Sequence, residues 1–297
     1  MTERNANLLL VSVALVWGAS GTLMKIGIGD ITPFSLIALR FGIAFFIMMI
    51  LFWKKVYLIG KRAAGYSFLM GSAMFFTFAF LMYGLKTTPA STAGFLTGTA
   101  VVMVPLLELM LFRKFPAGKV WIAMIIVLAG ISLLSLNEEL SIGTGEIFCI
   151  IASLFNAIYI IMTGHFSKKE DPLQLGIWQL FSASLWGAVC AATTSGIGLP
   201  KTQIGWITVL SLALLCSAYG YVIQPLAQKY TTPEKTGFIL ASEPVFSLAF
   251  ASLILGESFT EKEALGAALI FVSILVVNGR GFHLYKNTQG GIKKWKK

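Results

Sequence analysis

Long apolar runs separated by short polar links recur along almost the whole chain, at about 6–28, 34–53, 64–85, 90–112, 119–136, 145–164, 173–194, 205–227, 234–255 and 263–280. A helix must place roughly 20 apolar residues in the ~30 Å hydrocarbon core to span it, so the pattern predicts ten transmembrane helices. The links hold most of the Pro, Gly and charge, and none has room for a soluble domain. The first run lacks a small-residue cleavage site and reads as a retained helix.

Composition agrees. The 297 residues are 57% hydrophobic and 12% charged, with a mean hydropathy of +0.81, which marks an all-α integral membrane protein. The formal charge of +10 does not point to nucleic acid, because its distribution is that of a topology signal. If the amino terminus is cytoplasmic, most of the 23 Lys and Arg residues fall in inside links, among them Lys54, Lys55, Lys61, Arg62, Arg113, Lys114 and the tail 281–297. The outside loops hold only Lys86, Lys201 and Lys262, and carry the acids Asp30, Glu138, Glu139, Glu146, Glu257, Glu261 and Glu263. That imbalance predicts a multi-pass plasma-membrane protein with both termini cytoplasmic. The basic tail suits anionic lipid headgroups, or is simply solvated.

Cys149, Cys190 and Cys216 lie within apolar runs and read as small core residues, not a disulfide framework. His165 and His283 sit apart at polar edges, so no metal site and no cofactor is expected.

An internal repeat adds more than any single motif. Pro33 and Arg40 are spaced like Pro172 and Gln179, an offset of about 139 residues. Thr87, Thr88 and Pro89 recur as Thr231, Thr232 and Pro233; Gly94, Phe95 and Gly98 recur as Gly237, Phe238 and Ala241, at about 143. Each half then holds five spans, residues 1–138 and 139–280. An odd number of crossings inverts the second half relative to the first, the architecture of many secondary transporters. The small pairs Gly94/Gly98 and Gly237/Ala241 predict close helix packing in the fourth and ninth spans.

The residues at this point carry a resemblance. The run FILASEPVFSLAFASLILGESFTEKEALGAALIFVSILVV from Phe238 to Val277, WGAS from Trp17 to Ser20, the Pro33 to Arg40 spacing and FLTGTAVVMVPLLELMLFRK from Phe95 to Lys114 resemble the EamA-type branch of the drug/metabolite transporter superfamily. The match covers nearly the whole chain. It implies a carrier with a central cavity between the halves, and by family analogy export, but not a particular substrate. The halves are unequal: the position equivalent to Pro244 is Val101, and the first half's Pro105 falls one turn later.

Within that implied cavity the candidates are few. Glu243 lies about nine residues into its span, roughly 14 Å deep, next to Pro244, and is either a proton-coupling or substrate-amine group or a protonated carboxyl bonded to a neighbouring helix. Trp17 and Ser20, Thr97, Asn156 and Tyr159, and Tyr219, Tyr221 and Gln224 complete the candidate lining. Thr97 and Thr99 could instead bond their own backbone. Arg40, two turns deep, reads as a structural ion or an anion contact, Glu108 as a partner for interfacial charge, and Lys25 as a snorkelling side chain. Pro105, Pro225 and Pro244 are candidate flex points. Such a lining suits a small amphiphilic organic solute better than a bare ion.

The expected function is therefore alternating-access transport of an amino acid-like or similar metabolite, driven by a gradient because no GxxxxGK[ST] loop is present. Neither HExxH nor GxSxG occurs, which argues against an enzyme. A lipid-binding or scaffolding protein of the same fold is the alternative, and the sequence leaves homodimerisation open.

Overall fold

A computed structural model describes residues 1–27, 31–88, 90–135, 143–194, 196–255 and 260–278. Asp30, Pro89, Glu138, Glu139, Gly256, Glu257 and the tail 281–297 lie outside the described residues, as do the side chains of Lys25 and Phe95. All regular structure among the described residues is helical. The helices are α1 (Glu3–Gly27), α2 (Pro33–Leu51), a short α3 (Trp53–Val56), α4 (Lys61–Gly84), α5 (Ala90–Gly98), α6 (Ala100–Phe112), α7 (Gly118–Ser135), α8 (Thr144–Phe166), α9 (Pro172–Thr194), α10 (Gln203–Ser211), α11 (Tyr221–Gln228), α12 (Pro233–Leu240), α13 (Glu243–Leu255) and α14 (Glu261–Asn278). A π-helical segment, Leu212–Gly220, joins α10 to α11. Among the described residues five helices are long and apolar enough to cross a membrane: Pro33–Leu51, Lys61–Gly84, Thr144–Phe166, Pro172–Thr194 and Gln203–Gln228; Leu96–Phe112 and Gly118–Leu133 are shorter apolar helices.

Helix starts follow local rules. Thr232 accepts from the Lys235 amide and Pro233 opens α12. Pro172 opens α9, where Asp171 accepts from the Leu173 and Gln174 amides at 2.7 and 3.3 Å. Each side chain satisfies an amide that lacks an intrahelical acceptor, and proline has none to satisfy.

Helices at equivalent positions of the two halves pack against one another and run antiparallel. In α2 and α9, Phe45 meets Trp178 and Phe181 at 5.5 and 5.2 Å, while Ala38 faces Gly187. In α7 and α14, Lys119 near the start of one donates to the Val277 carbonyl near the end of the other at 2.7 Å. The remaining contacts exchange in pairs: α4 packs on α8 as α1 packs on α10 and α11, and α8 packs on α5 and α6 as α1 packs on α12 and α13. Antiparallel partners related in this way require a two-fold axis perpendicular to the helices.

Both the fourth and the ninth apolar runs are broken, at Thr99 and at Ala241–Ser242. The breaks match at the 143-residue offset, and so do their hydrogen bonds. Thr99 Oγ1 donates to the Leu96 carbonyl at 2.5 Å and Ser242 Oγ to the Ile239 carbonyl at 2.6 Å. The three candidate flex-point prolines sit in different local settings. Pro244 falls in the first turn of α13, where its missing N–H is not needed. Pro105 lies inside α6, well past the Thr99 break. Pro225 lies inside α11 and leaves the Tyr221 carbonyl without its helical donor; Gln179 Nε2 from α9 takes that carbonyl at 2.6 Å.

The small-residue pairs are not where the backbones come closest. A Cβ on Gly94 would meet no atom within 4 Å, and one on Gly237 would stand 3.6 Å from Val101 Cα, ordinary contact. The tight crossings are single glycines elsewhere: a Cβ on Gly71 would lie 2.4 Å from the Gln179 carbonyl oxygen, and one on Gly130 2.8 Å from that of Gly266. Without a strong hydrophobic drive in lipid, such close packing carries much of helix association.

Two predictions follow from this packing. Gly71→Ala forces its methyl into the α9 backbone and will lower stability by about 1–3 kcal/mol, whereas Gly94→Ala will leave it unchanged or raised; thermal unfolding in detergent separates the two. In a double-mutant cycle, Gln179→Leu will cost about 1–3 kcal/mol alone and markedly less in a Pro225→Ala background, where the restored amide supplies the Tyr221 carbonyl. Equal costs would mean that the carbonyl is not what Gln179 serves.

Candidate functional site

The π-helical segment and α11 form the wall against which most of the candidate residues gather. Glycine at 220 makes room for Trp17 of α1: a Cβ there would stand 2.2 Å from the indole Nε1. With that room, Nε1–H donates to the Cys216 carbonyl at 2.9 Å. Gly18, the next residue, lets α1 lie against α13, since a Cβ there would be 2.6 Å from Phe246 Cβ and 2.8 Å from the Ser247 nitrogen. The WGAS stretch thus has two adjacent tasks, anchoring a ring to the eighth run and admitting the backbone of the ninth. Ser20 is buried and sits beside the Cys216 thiol.

Tyr221 is the centre of an aromatic cluster drawn from five helices. Its ring lies 4.7 Å from Trp17, 5.7 Å from Phe41, 5.9 Å from Tyr159 and 6.2 Å from Phe78. Edge and tilted arrangements of this kind bring positive ring edges to negative faces. Over the same cluster lies Arg40, 1% exposed. Its guanidinium carbon is 4.9 Å from the Phe41 centroid and 4.7 Å from that of Phe78, and Nε donates to Ser217 Oγ at 3.0 Å. Cation–π contact and hydrogen bonding together offset part of the cost of burying the charge. Arg40 and Glu243 also interact coulombically across the site. The break before α13 places Glu243 at a helix start, where the dipole favours a carboxylate.

Gln179 occupies in α9 the position that Arg40 occupies in α2. Both reach to the eighth run, one to Ser217 and the other to the Tyr221 carbonyl. The site is therefore charged on one side of the pseudo-two-fold and neutral on the other. On the neutral side Tyr159 OH, Gln179 Oε1 and Gln224 Oε1 are buried without a hydrogen-bond partner. Leaving such a group unsatisfied costs about 1–3 kcal/mol, so these atoms are where a polar solute or water gains most by binding. Gln224 Nε2 donates to Gln228 Oε1 and Gln228 Nε2 to the Ile160 carbonyl, each at 3.0 Å, tying α11 to α8.

The structure brings Trp17, Tyr159, Tyr221, Gln224 and Glu243 into this neighbourhood, and leaves others at its margin. Thr97 donates to the Ala93 and Gly94 carbonyls of its own helix. Tyr219 OH pairs with Ser12 Oγ at 2.7 Å, away from the Tyr221 cluster. Asn156 is half-buried one turn from Tyr159. Arg40, Gln179, Phe41, Phe78 and Ser217 belong with the cluster and were not among the candidate lining. The Arg40/Gln179 equivalence in the repeat was the signal for two of them; nothing in the pattern of the second and third runs distinguishes Phe41 and Phe78 from other core phenylalanines.

Comparison with known proteins fits this arrangement. Over 278 residues, 93% of this chain and 86% of the relative, the sequence is 29% identical to an uncharacterized transporter of Archaeoglobus fulgidus. Over 306 residues, 97% of this chain and 99% of the relative, it is 24% identical to a Salmonella typhimurium protein named "Probable amino-acid metabolite efflux pump". A solved crystal structure superposes with a TM-score of 0.79 at 16% identity, covering 93% of this chain and 96% of that one, and shares the fold. Residues 4–136 and 143–279 each match the EamA-like transporter family, and the chain belongs to that family of membrane transporters.

Proposed function

We propose that this protein is a secondary carrier that exports a small amino acid-like or similar amphiphilic metabolite across the plasma membrane by alternating access. In this reading the chain crosses the bilayer ten times as two inverted five-helix repeats, 1–138 and 139–280, with both termini cytoplasmic. The antiparallel packing of α2 on α9 and of α7 on α14 supports the inversion, and the two family matches support the division. The charge asymmetry of the links supports the orientation.

The observation that carries the reading is that one buried cation and one carboxylate from opposite halves lie near enough to feel each other's charge. Arg40 from α2 and Glu243 from α13 interact beside the Trp17–Tyr221 rings, with unpartnered polar atoms of Tyr159, Gln179 and Gln224 nearby. A solute with an anionic group, an amine and an apolar body meets complementary groups there. Proton coupling through Glu243 adds the energy source: a carboxyl facing a buried guanidinium can trade a proton for a substrate cation. The relative named as an amino-acid metabolite efflux pump is consistent with that solute class.

Purified protein in proteoliposomes tests this directly. Counterflow of amino acids and related metabolites will show saturable uptake, and Glu243→Gln will cut flux driven by a pH gradient by at least about tenfold, ~1.4 kcal/mol, while retaining solute exchange. A Glu243→Gln protein that expresses normally and keeps full pH-driven flux removes the coupling role; the absence of any flux from the unaltered chain removes the carrier reading.

A further inference from the structure

Equivalent positions in a pseudo-symmetric molecule ought to be packed alike, and at the broken helices they are not. A Cβ on Gly237 of α12 would lie 3.6 Å from Val101 Cα and 3.7 Å from Val104 Cγ2 of α6. The counterparts at the 143-residue offset are Gly94 of α5, with Pro244 and Ser247 of α13. Beside Gly94 no such neighbour lies within 4 Å. Burial follows the same division: Ile239, Leu240 and Ser242 are buried where Leu96, Thr97 and Thr99 are half-buried, and Val101 and Val104 are buried where Pro244 and Ser247 are half-buried. Among the described residues the packing is tighter where α6 meets α12 than between α5 and α13.

A cluster of charge sits at the tighter end. α6 terminates at Arg113, whose φ of 53° is left-handed, and the chain doubles back so that Lys114 returns over the helix it has just left. Lys114 Nζ lies 3.8 Å from Glu108 Oε2 on α6 and 3.6 Å from Glu234 Oε1 at the start of α12. Glu108 is 2% exposed and its Oε2 has no hydrogen-bond partner, so the lysine is the main compensation for that atom. Glu234 also lies within hydrogen-bonding reach of Glu108, two carboxyls side by side, and Lys168, beyond the end of α8, acts on Glu108 as well; Lys235, next to Glu234, is paired with Glu3 of α1. Phe112 at the end of α6 stacks on His165 of α8 at 4.6 Å, a second contact between the halves at this end.

We propose that Lys114, bridging Glu108 and Glu234, is an electrostatic latch between the two halves that holds the α6/α12 end shut. The inference rests on the carrier reading above, which requires this end to open in turn. The sequence repeats no such latch at the other end, because the equivalent of Glu108 is the uncharged Ala251. The direction of its effect follows from burial. With Lys114 absent, the closed state holds the carboxyls of Glu108 and Glu234 side by side without the cation between them, a heavier penalty than the pair itself is worth in gain; the open state separates and hydrates them. Loss of the lysine therefore favours opening.

The test is thiol accessibility at Thr236→Cys, since Thr236 is fully buried on α12 beside the cluster. In proteoliposomes, a membrane-impermeant maleimide applied from the side bearing the α6/α12 ends will label this cysteine about tenfold faster in Lys114→Met, a shift expected when the buried Glu108 loses its half-exposed cation. Lys114→Arg will label at the parent rate, and the swap Lys114→Glu with Glu234→Lys will return the rate toward it. Chain lacking the added cysteine gives the background from Cys149, Cys190 and Cys216, and a melting transition confirms that each variant is folded. Unchanged labelling in folded Lys114→Met, or no recovery in a folded swap, overturns the latch. Solute flux is measured in the same vesicles: flux that persists with unchanged labelling rejects the latch alone, whereas a parent chain without flux rejects the carrier reading.

Discussion

A polar group held among apolar side chains must find its partner inside the protein, and the eighth apolar run is where this chain meets that demand. Pro225 leaves the Tyr221 carbonyl without a helical donor, and Gln179 supplies one from α9. The π-helical turn presents the Cys216 carbonyl to Trp17 and the Ser217 hydroxyl to Arg40. Three helices, α1, α2 and α9, are thereby pinned to one irregular segment, and irregular backbone is tolerated at such depth only where protein or solute satisfies it. The aromatic cluster about Tyr221 is a consequence of the same convergence.

The two halves use one plan with different chemistry. Arg40 and Gln179 stand at equivalent positions and both reach for the eighth run, yet only one carries charge. Glu243 lies after the second half's break, and Ala100 takes its place in the first. The two-fold packing thus surrounds a cluster with a cationic and a neutral side. The breaks themselves are held by hydroxyls, Thr99 and Ser242, bonding three residues back. These local tight turns interrupt the helix without proline, which is why the break in the first half does not coincide with Pro105.

Close packing of the helices rests on a few crossing points rather than on repeated small-residue motifs. Gly18, Gly71, Gly130 and Gly220 each admit a neighbouring backbone or ring that a methyl would strike. A GxxxG-like pair in sequence specifies only that approach is permitted; which neighbour arrives depends on how ten apolar runs share the available faces.

Helical class, the internal repeat and the family were legible in the sequence because each is a one-dimensional property: hydropathy period, spacing and motif order all survive without coordinates. So were Trp17, Tyr159, Tyr221, Gln224 and Glu243 as residues of interest, because polar or bulky groups stand out in an apolar run. Only the tertiary structure decided that Thr97 and Tyr219 spend their hydroxyls elsewhere, that Arg40 and Gln179 belong to the site, and that Pro225 rather than Pro244 exposes a carbonyl. The physical reason is common to all of these. A side chain's partner depends on which helix lies across from it, and in a chain that is apolar nearly everywhere, hydropathy alone does not tell one neighbouring helix from another.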